Sequence, residues 1–192
     1  MLLYRIFFHR SGVRGGTSGH ATYLYTPQLK GRWDNAELYQ SWYLSTSPEG
    51  AAGETFGNVP VWTSEMFEVP TGFRRAIATF AVSDDLPLFA LDDAANLLHI
   101  GMRPSQVVTR NAPYTQGVAA RLFAERGADG GRKWAGLTWW SYHRPTWTNV
   151  FLWDSEGSPA LLTLQSVDEL TIDTPAIRDA AAALSRPLPP LA

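Results

Sequence analysis

The sequence contains no cysteine, which excludes disulfide bonds and every metal site that needs a thiolate ligand. Its four histidines are too scattered to form the short-spaced ligand pairs of zinc motifs. They are His9, His20, His99 and His143. We therefore predict no bound metal. Because a chain without cysteine is compatible with a reducing compartment, we also predict a cytoplasmic location.

Long apolar runs are missing as well. The longest runs, such as ATFAV and NVFLW, have the length of a strand, whereas a membrane-spanning helix needs about 20 apolar residues. The N-terminal MLLYRIFFHR has no basic segment before its apolar stretch and no small-residue cleavage site after it. We interpret it as a first strand and expect no contact with a membrane.

Lysine is scarce, since only Lys30 and Lys133 occur and 14 of the 16 basic residues are arginine. Arginine forms bidentate contacts with phosphates and carboxylates, although a GC-rich genome produces the same bias. The net charge is −2, and there is no basic stripe, so we predict no direct binding to nucleic acid. The eight tryptophans supply flat surfaces for a core, a stacked ligand or both.

The chain of 192 residues, 45% hydrophobic and 18% charged, is typical of one globular domain. We find neither an internal repeat nor a domain linker and predict a single domain over residues 1–192. Strands and helices do not alternate regularly, so the predicted class is α+β, with mixed or antiparallel central sheets and flanking helices. Strands are expected at 2–8, 41–45, 72–82 and 86–91 and in WAGLTWWSYH, TNVFLWD and PALLTLQS; helices are expected at 47–56, from about 92, at 114–127 and at 175–184.

Several catalytic motifs are absent. No G-x-G-x-x-G follows a strand, and neither a P-loop nor H-E-x-x-H occurs. The segment GTSGH at 16–20 lacks the G-x-S-x-G pattern of a nucleophile elbow. A Rossmann-type NAD site, a nucleoside triphosphatase and a serine hydrolase are therefore disfavoured.

The stretch GRWDNAELYQSWYLSTSPEGAAGETFG, residues 31–57, places Arg32, Tyr43 and Glu54 eleven residues apart. Each has an ordinary structural interpretation when taken singly. Arg32 would lay its stem over Trp33, and Tyr43 would be a half-buried strand aromatic. Spacing alone leaves open whether the three belong to one site.

The helix predicted from Ser47 has one face that consists largely of glycines. Gly50, Gly53 and Gly57 share that face with Glu54 at the i, i+3, i+4, i+7 spacing. Each glycine inside a helix costs up to about 1 kcal/mol relative to alanine. The pattern indicates either that a ligand or backbone approaches here, or that the helix packs on the sheet and leaves Glu54 exposed.

Two residues outside this stretch complete the candidates. Arg5 lies in an otherwise apolar strand, where an unpaired charge is costly, so it requires a carboxylate partner or an anionic ligand. Ser141 is a small hydroxyl residue between pairs of large aromatics. It marks either a strand position where only a small side chain fits or a residue that faces solvent or caps a turn.

Several segments together resemble the RES-domain family, named for its Arg, Glu and Ser. They are LYRIF, GRW, YLSTSPEGAAGE, YTQGVAARLFAERGADG and GLTWWSYHRPTWTNVFLWD. The family residues correspond to Arg32, Glu54 and Ser141. The likeness covers roughly 2–170 as a core and leaves the C-terminal helix and proline-rich tail, 174–192. The family often has two glycines before its arginine, whereas Lys30 and Gly31 stand here, and DNAELYQSW replaces its usual turn.

The resemblance implies an ADP-ribosyltransferase-like fold and a toxin that consumes NAD⁺ as substrate, by hydrolysis or phosphorolysis, without a further cofactor. It also implies an Xre-like helix-turn-helix antitoxin as partner. Two alternatives remain, a protein mono-ADP-ribosyltransferase and a non-catalytic nucleotide-binding or interaction module. The sequence does not determine the acceptor or the oligomeric state.

The chemistry of the NAD⁺ cleavage that the resemblance implies suggests a role for each candidate residue. Glu54 would stabilise the positive charge that develops on the ribose, because bond cleavage passes through an oxocarbenium-like state. Tyr43 would stack on or orient the nicotinamide ribose, and Ser141 would bind the nicotinamide amide or the diphosphate. Arg32, the fourth catalytic candidate, would anchor phosphate or the adjacent ribose together with Arg5. Trp33 would form a wall of the pocket, and Ser45 is a further substrate-binding candidate.

Overall fold

The computed structural model describes residues 1–69, 71–155 and 161–189. Within these ranges the chain is a single α+β domain with one eight-stranded mixed sheet and five α-helices, which confirms the predicted class. The strands are β1 (Leu2–His9), β2 (Gln40–Ser45), β3 (Glu68–Val69), β4 (Phe73–Ala81), β5 (Leu88–Ala90), β6 (Gly136–Trp140), β7 (Thr148–Asp154) and β8 (Thr163–Glu169). The helices are α1 (Pro48–Phe56), α2 (Ala94–Ile100), α3 (Pro104–Val107), α4 (Ala112–Ala124) and α5 (Pro175–Ala183).

The sheet has the order β3-β4-β1-β2-β7-β6-β5, and β8 also pairs with β4. The pairing is antiparallel except between β5 and β6. Strand β1 pairs with β4 along its whole length, and β2 pairs with β7 along its whole length. In contrast, β1 and β2 pair in the described structure at one position only, where Tyr4 lies opposite Ser45. The two halves of the sheet therefore separate beyond this point.

The core lies on both faces of the sheet, because successive residues of a strand point to opposite faces. One face packs against α4 around Phe151 and against α1 and α5 around Ile77. The other face, which includes Phe80, is covered in part by the long loop around Leu24. The gap between β1 and β2 thus lies near the centre of the domain, beside α1.

Helix α1 begins directly after β2 for a local reason. The Ser47 hydroxyl accepts a hydrogen bond from the Gly50 N–H at 3.1 Å, and Pro48 occupies the first turn, where no N–H is needed. The helix ends at Phe56, and Gly57 is its C-cap, as predicted. Because only two residues join β2 to α1, the helix is held against the end of the strand.

Most predicted elements occur, with shifted boundaries. The strand expected in WAGLTWWSYH ends at Trp140, so Ser141 lies just beyond it. In PALLTLQS the strand starts at Thr163, while residues 159 and 160 lie outside the described residues. The end of the proline-rich tail, 190–192, also lies outside them. None of the helices in the described ranges is long and apolar enough to cross a membrane.

Candidate active site

A cavity of about 310 Å³ opens where β1 and β2 separate. Its lining includes Tyr4 and Arg5, neighbours in β1 that point to opposite faces of the sheet. The cavity therefore extends into the gap between the strands. It is lined by Tyr4, Arg5, Ile6, Tyr43, Leu44, Ser45, Ala51, Glu54, Thr55, Trp139 and Asn149. Its volume is at the lower end of the range for small-molecule sites, about 300–1,000 Å³.

Glu54 reaches this cavity from α1 and is exposed to solvent. Its Oε1 accepts a hydrogen bond from Nδ2 of Asn149 at 2.9 Å. Asn149 is only 2% exposed and lies on β7 opposite Ser45 of β2 and Trp139 of β6. This is the one hydrogen bond that the Glu54 carboxylate makes within the described residues. One carboxylate oxygen is thus anchored to the sheet, and the group as a whole stays accessible.

Tyr43 lines the cavity with its ring, while its hydroxyl is engaged elsewhere. The hydroxyl donates to Oδ1 of Asp34 at 2.9 Å and accepts from the Trp33 N–H at 3.0 Å. Burial raises the pKa of Tyr43 strongly, and the negative charge of Asp34 adds to the effect. Tyr43 therefore remains neutral and does not act as a base, but it ties β2 to the loop that carries Arg32.

Arg32 stands at the edge of the site. Its Nη1 donates to the Val107 carbonyl at 2.8 Å, and its Cζ lies 5.4 Å from the ring centroid of Trp139, which lines the cavity. Burial lowers the pKa of Arg32, and the negative charge of Glu54 opposes this shift. The charges of Arg32 and Glu54 therefore attract each other across the site.

The Arg32 loop is held by the start of α4. The Thr115 hydroxyl donates to the Arg32 carbonyl, and Nε2 of Gln116 donates to the Gly31 carbonyl at 2.9 Å. The Gly31 N–H in turn donates to Asp34. Contacts on both sides fix the backbone of this loop, although the loop has no regular secondary structure.

Arg5 lines the cavity from β1, and its guanidinium lies on the face of the sheet that carries Trp42. Its Nη1 donates to the carbonyls of Ala21 and Tyr23 at 3.1 and 3.0 Å, and its Cζ lies 5.1 Å from the Trp42 ring centroid. Burial lowers the pKa of Arg5 to about 10, so it is cationic at neutral pH. No carboxylate in the described part of the chain forms an ion pair with Arg5. The two carbonyl dipoles and the face of the Trp42 ring compensate this charge in part.

The other candidates occupy different positions. Ser45 is buried in the cavity lining, and its hydroxyl donates to the Thr148 carbonyl at 3.2 Å. Trp33 is fully buried and packs edge-on against Trp139 at 5.7 Å. Trp139 therefore forms the wall of the cavity, and Trp33 supports it from behind.

Ser141 caps the turn after β6. Its Oγ accepts from the N–H groups of His143 and Arg144 at 3.0 and 3.3 Å, and its own N–H donates to the Trp147 carbonyl at 2.8 Å. Ser141 is fully buried and is not among the described residues that line the cavity. Of the two interpretations considered above, this arrangement favours the turn cap. The sequence-based position on a strand is wrong by one residue.

The turn capped by Ser141 packs against the glycine face of α1. A Cβ on Gly53 would overlap the Trp147 ring, and one on Gly57 would lie 2.7 Å from Nδ1 of His143. The glycines therefore allow the helix to approach the β6–β7 turn, and Glu54 is left exposed beside them. The glycines of α1 therefore serve helix packing, the second of the two explanations considered above, and not the approach of a ligand.

Sequence reasoning missed two residues of the site, Asn149 and Asp34. Asn149 is the one amide in the otherwise apolar run NVFLW, a residue type that strands disfavour, and this signal was available. Asp34 directly follows the GRW segment and is 5% exposed; nothing in its spacing indicates that it binds Tyr43. Among the described residues, no group of three or more histidine or acidic side chains is arranged to hold a metal ion.

Comparisons with known proteins agree with this architecture. A model of the RES domain matches residues 2–175. A search of curated proteins finds no significant match. Among solved structures, the chain is similar to one from the crystal structure of the M. tuberculosis MbcT–MbcA toxin–antitoxin complex, with a TM-score of 0.58 and 16% identity over 96% of this chain and 88% of that chain. At this identity the likeness shows a common fold.

Proposed function

The chain belongs to the RES-domain family, and from this premise we propose that it is an NAD⁺-consuming toxin of a toxin–antitoxin pair. It cleaves the bond between nicotinamide and ribose and passes the ADP-ribosyl group to water or phosphate. The observation that carries the proposal is the accessible Glu54 carboxylate, anchored by Asn149 in a cavity that also holds Arg5. The structural neighbour from a toxin–antitoxin complex supports the biological setting.

The Glu54 carboxylate meets the main chemical requirement of this reaction. As the bond breaks, nicotinamide leaves with the bonding electron pair as a neutral molecule, and positive charge develops at the ribose C1′ and ring oxygen. A negative group fixed next to the ribose stabilises this charge without reorganising. The acceptor then adds to C1′ and loses a proton. The Tyr43 and Trp139 rings offer apolar surfaces that hold the nicotinamide riboside in place.

The two arginines suit the other half of the substrate. The diphosphate of NAD⁺ carries about two negative charges, and guanidinium groups bind phosphate through paired N–H donors. Arg5 has no carboxylate partner among the described residues, and Arg32 uses one nitrogen on Val107. Both thus have donors left for an anion. We assign them to the diphosphate or the adjacent ribose, and we assign Ser141 to shaping the turn beside α1.

Purified protein incubated with NAD⁺ tests the proposal. Chromatography should detect free nicotinamide together with ADP-ribose in plain buffer, or with a phosphorylated ADP-ribose when phosphate is present. The ratio of the two products identifies the acceptor. Intact NAD⁺ after prolonged incubation would contradict the proposed reaction. Label from NAD⁺ retained on a protein band would instead assign the chain to protein ADP-ribosylation.

Replacing Arg32 with lysine should raise the KM for NAD⁺ about tenfold or more, because lysine is a point charge that cannot bind Val107 and a phosphate in the same planar arrangement. A charge-assisted hydrogen bond of about 1.5–3 kcal/mol sets this scale. Arg103→Lys is the matched control, since Arg103 is exposed at the start of α3. Steady-state kinetics with both variants measures the difference. An unchanged KM in Arg32→Lys would remove Arg32 from substrate binding.

The proposed partner is an antitoxin with an Xre-like helix-turn-helix. If the gene beside this one encodes such a protein, co-expression should relieve the growth arrest and NAD⁺ depletion that the chain causes alone. Depletion that persists at equal expression of both proteins would show that the neighbour is not its antitoxin.

A further inference from the structure

We propose that Asn149 is a positioning residue that holds the Glu54 carboxylate in its reactive orientation; this inference rests on the proposed cleavage of NAD⁺. The amide Nδ2 lies 2.9 Å from Oε1 of Glu54. A carboxylate only accepts hydrogen bonds, so the amide must present its NH₂ group. The contact joins residues 95 positions apart in the sequence and connects α1 to the middle of the sheet.

The position of Asn149 in the sheet is unfavourable without this contact. It precedes four buried apolar residues of β7, Val150 to Trp153, in a strand paired on both sides. Asparagine is disfavoured in strands, and a buried amide without a partner is costly. A hydrogen bond to a charged acceptor offsets this cost. The functional contact thus explains a residue that sheet packing alone does not favour.

The two partners differ in rigidity, and this difference assigns the roles. Glu54 is an exposed helix residue with three side-chain torsions, so by itself it samples several rotamers. Asn149 is fixed by backbone pairing with Ser45 and Trp139, and both of these residues also line the cavity. The rigid amide therefore selects the rotamer of the mobile carboxylate. Binding through Oε1 leaves the other carboxylate oxygen without a hydrogen bond to any described residue.

Asn149→Asp is the sharpest single substitution, because aspartate keeps the shape of asparagine and replaces the donor with a second acceptor. We expect kcat to fall about 100-fold while the KM for NAD⁺ changes by less than about threefold, since the loss concerns the orientation of the reacting group. Asn149→Ala, which lacks the repulsion, should lose about 10-fold in kcat. Asn58→Asp is the control, since Asn58 is exposed just beyond α1.

A purely structural role predicts another result: a lower Tm in Asn149→Asp and unchanged kcat per folded molecule. That result would overturn the proposal, as would wild-type kinetics in this variant. The double variant Glu54→Gln/Asn149→Asp exchanges the amide and the carboxylate and remakes the hydrogen bond. It should recover much of the Tm that Asn149→Asp loses, without recovering activity, because the charge then lies on β7.

The same set of single and double variants separates this inference from the proposed function. If the wild-type chain releases no nicotinamide, the proposed function fails, while the Tm values still decide whether the two side chains interact. Changes in Tm that simply add in the double variant would mean that Asn149 does not hold Glu54. Recovery of Tm in the double variant would support the contact.

Discussion

Glu54→Gln should lower the rate of NAD⁺ cleavage about 10²–10³-fold, the range seen when one preorganised electrostatic contact to a transition state is lost. Glutamine keeps the size of the side chain, and its amide oxygen still accepts from Nδ2 of Asn149. Only the negative charge disappears. In the proposed reaction that charge stabilises the ribose as nicotinamide leaves, so kcat should fall while the fold is retained. Nicotinamide release under saturating NAD⁺ measures it.

Glu49→Gln provides the matched control. Glu49 lies in the first turn of the same helix and is not among the described residues that line the cavity. Its loss weakens the interaction with the helix dipole by only about 0.3–1 kcal/mol. A folded Glu54→Gln protein that cleaves NAD⁺ as fast as Glu49→Gln would rule out the carboxylate assignment. Circular dichroism on both variants establishes that they are folded.

The elements with strong local signals were predictable from the sequence. Helix α1 has a serine cap, a first-turn proline and a terminal glycine, and all three act as expected. Helix α4 begins two residues before the predicted start because Asn111 caps it and Pro113 fits its first turn. Short elements such as β3, with two residues, depend on pairing with β4 and carry no periodicity of their own. Local patterns cannot indicate such elements.

The candidate site was predictable in part. The resemblance to the RES family, rather than the spacing, grouped Arg32, Tyr43 and Glu54, and the structure brings Tyr43 and Glu54 to one cavity with Arg32 at its edge. What spacing did not indicate is where each polar atom finds its partner. The Tyr43 hydroxyl binds Asp34, and Glu54 binds Asn149 across the domain. Both contacts depend on how the chain packs rather than on local pattern.

Gly53→Ala should destabilise the protein, although alanine is the better helix former. A Cβ at this position would lie 2.7 Å from Cη2 and 2.9 Å from Cε3 of Trp147. Trp147 is 6% exposed, and its turn is held by hydrogen bonds to Ser141 and Arg144, so the ring cannot move away easily. Overpacking of this kind costs about 1–3 kcal/mol, against a gain in helix propensity of about 1 kcal/mol.

We therefore expect Gly53→Ala to lower the free energy of unfolding by up to about 2 kcal/mol, or the Tm by several degrees. Any relief must push α1 outward, so kcat per folded molecule should also fall, because Glu54 lies one residue further along the helix. Gly117→Ala is the control, since Gly117 lies in α4 with no atom near its missing Cβ. That variant should gain about 0.5–1 kcal/mol through helix propensity. Urea unfolding of both variants measures these changes in the free energy of unfolding, which should have opposite signs. Higher stability in both variants would mean that the glycine face of α1 does not pack against Trp147.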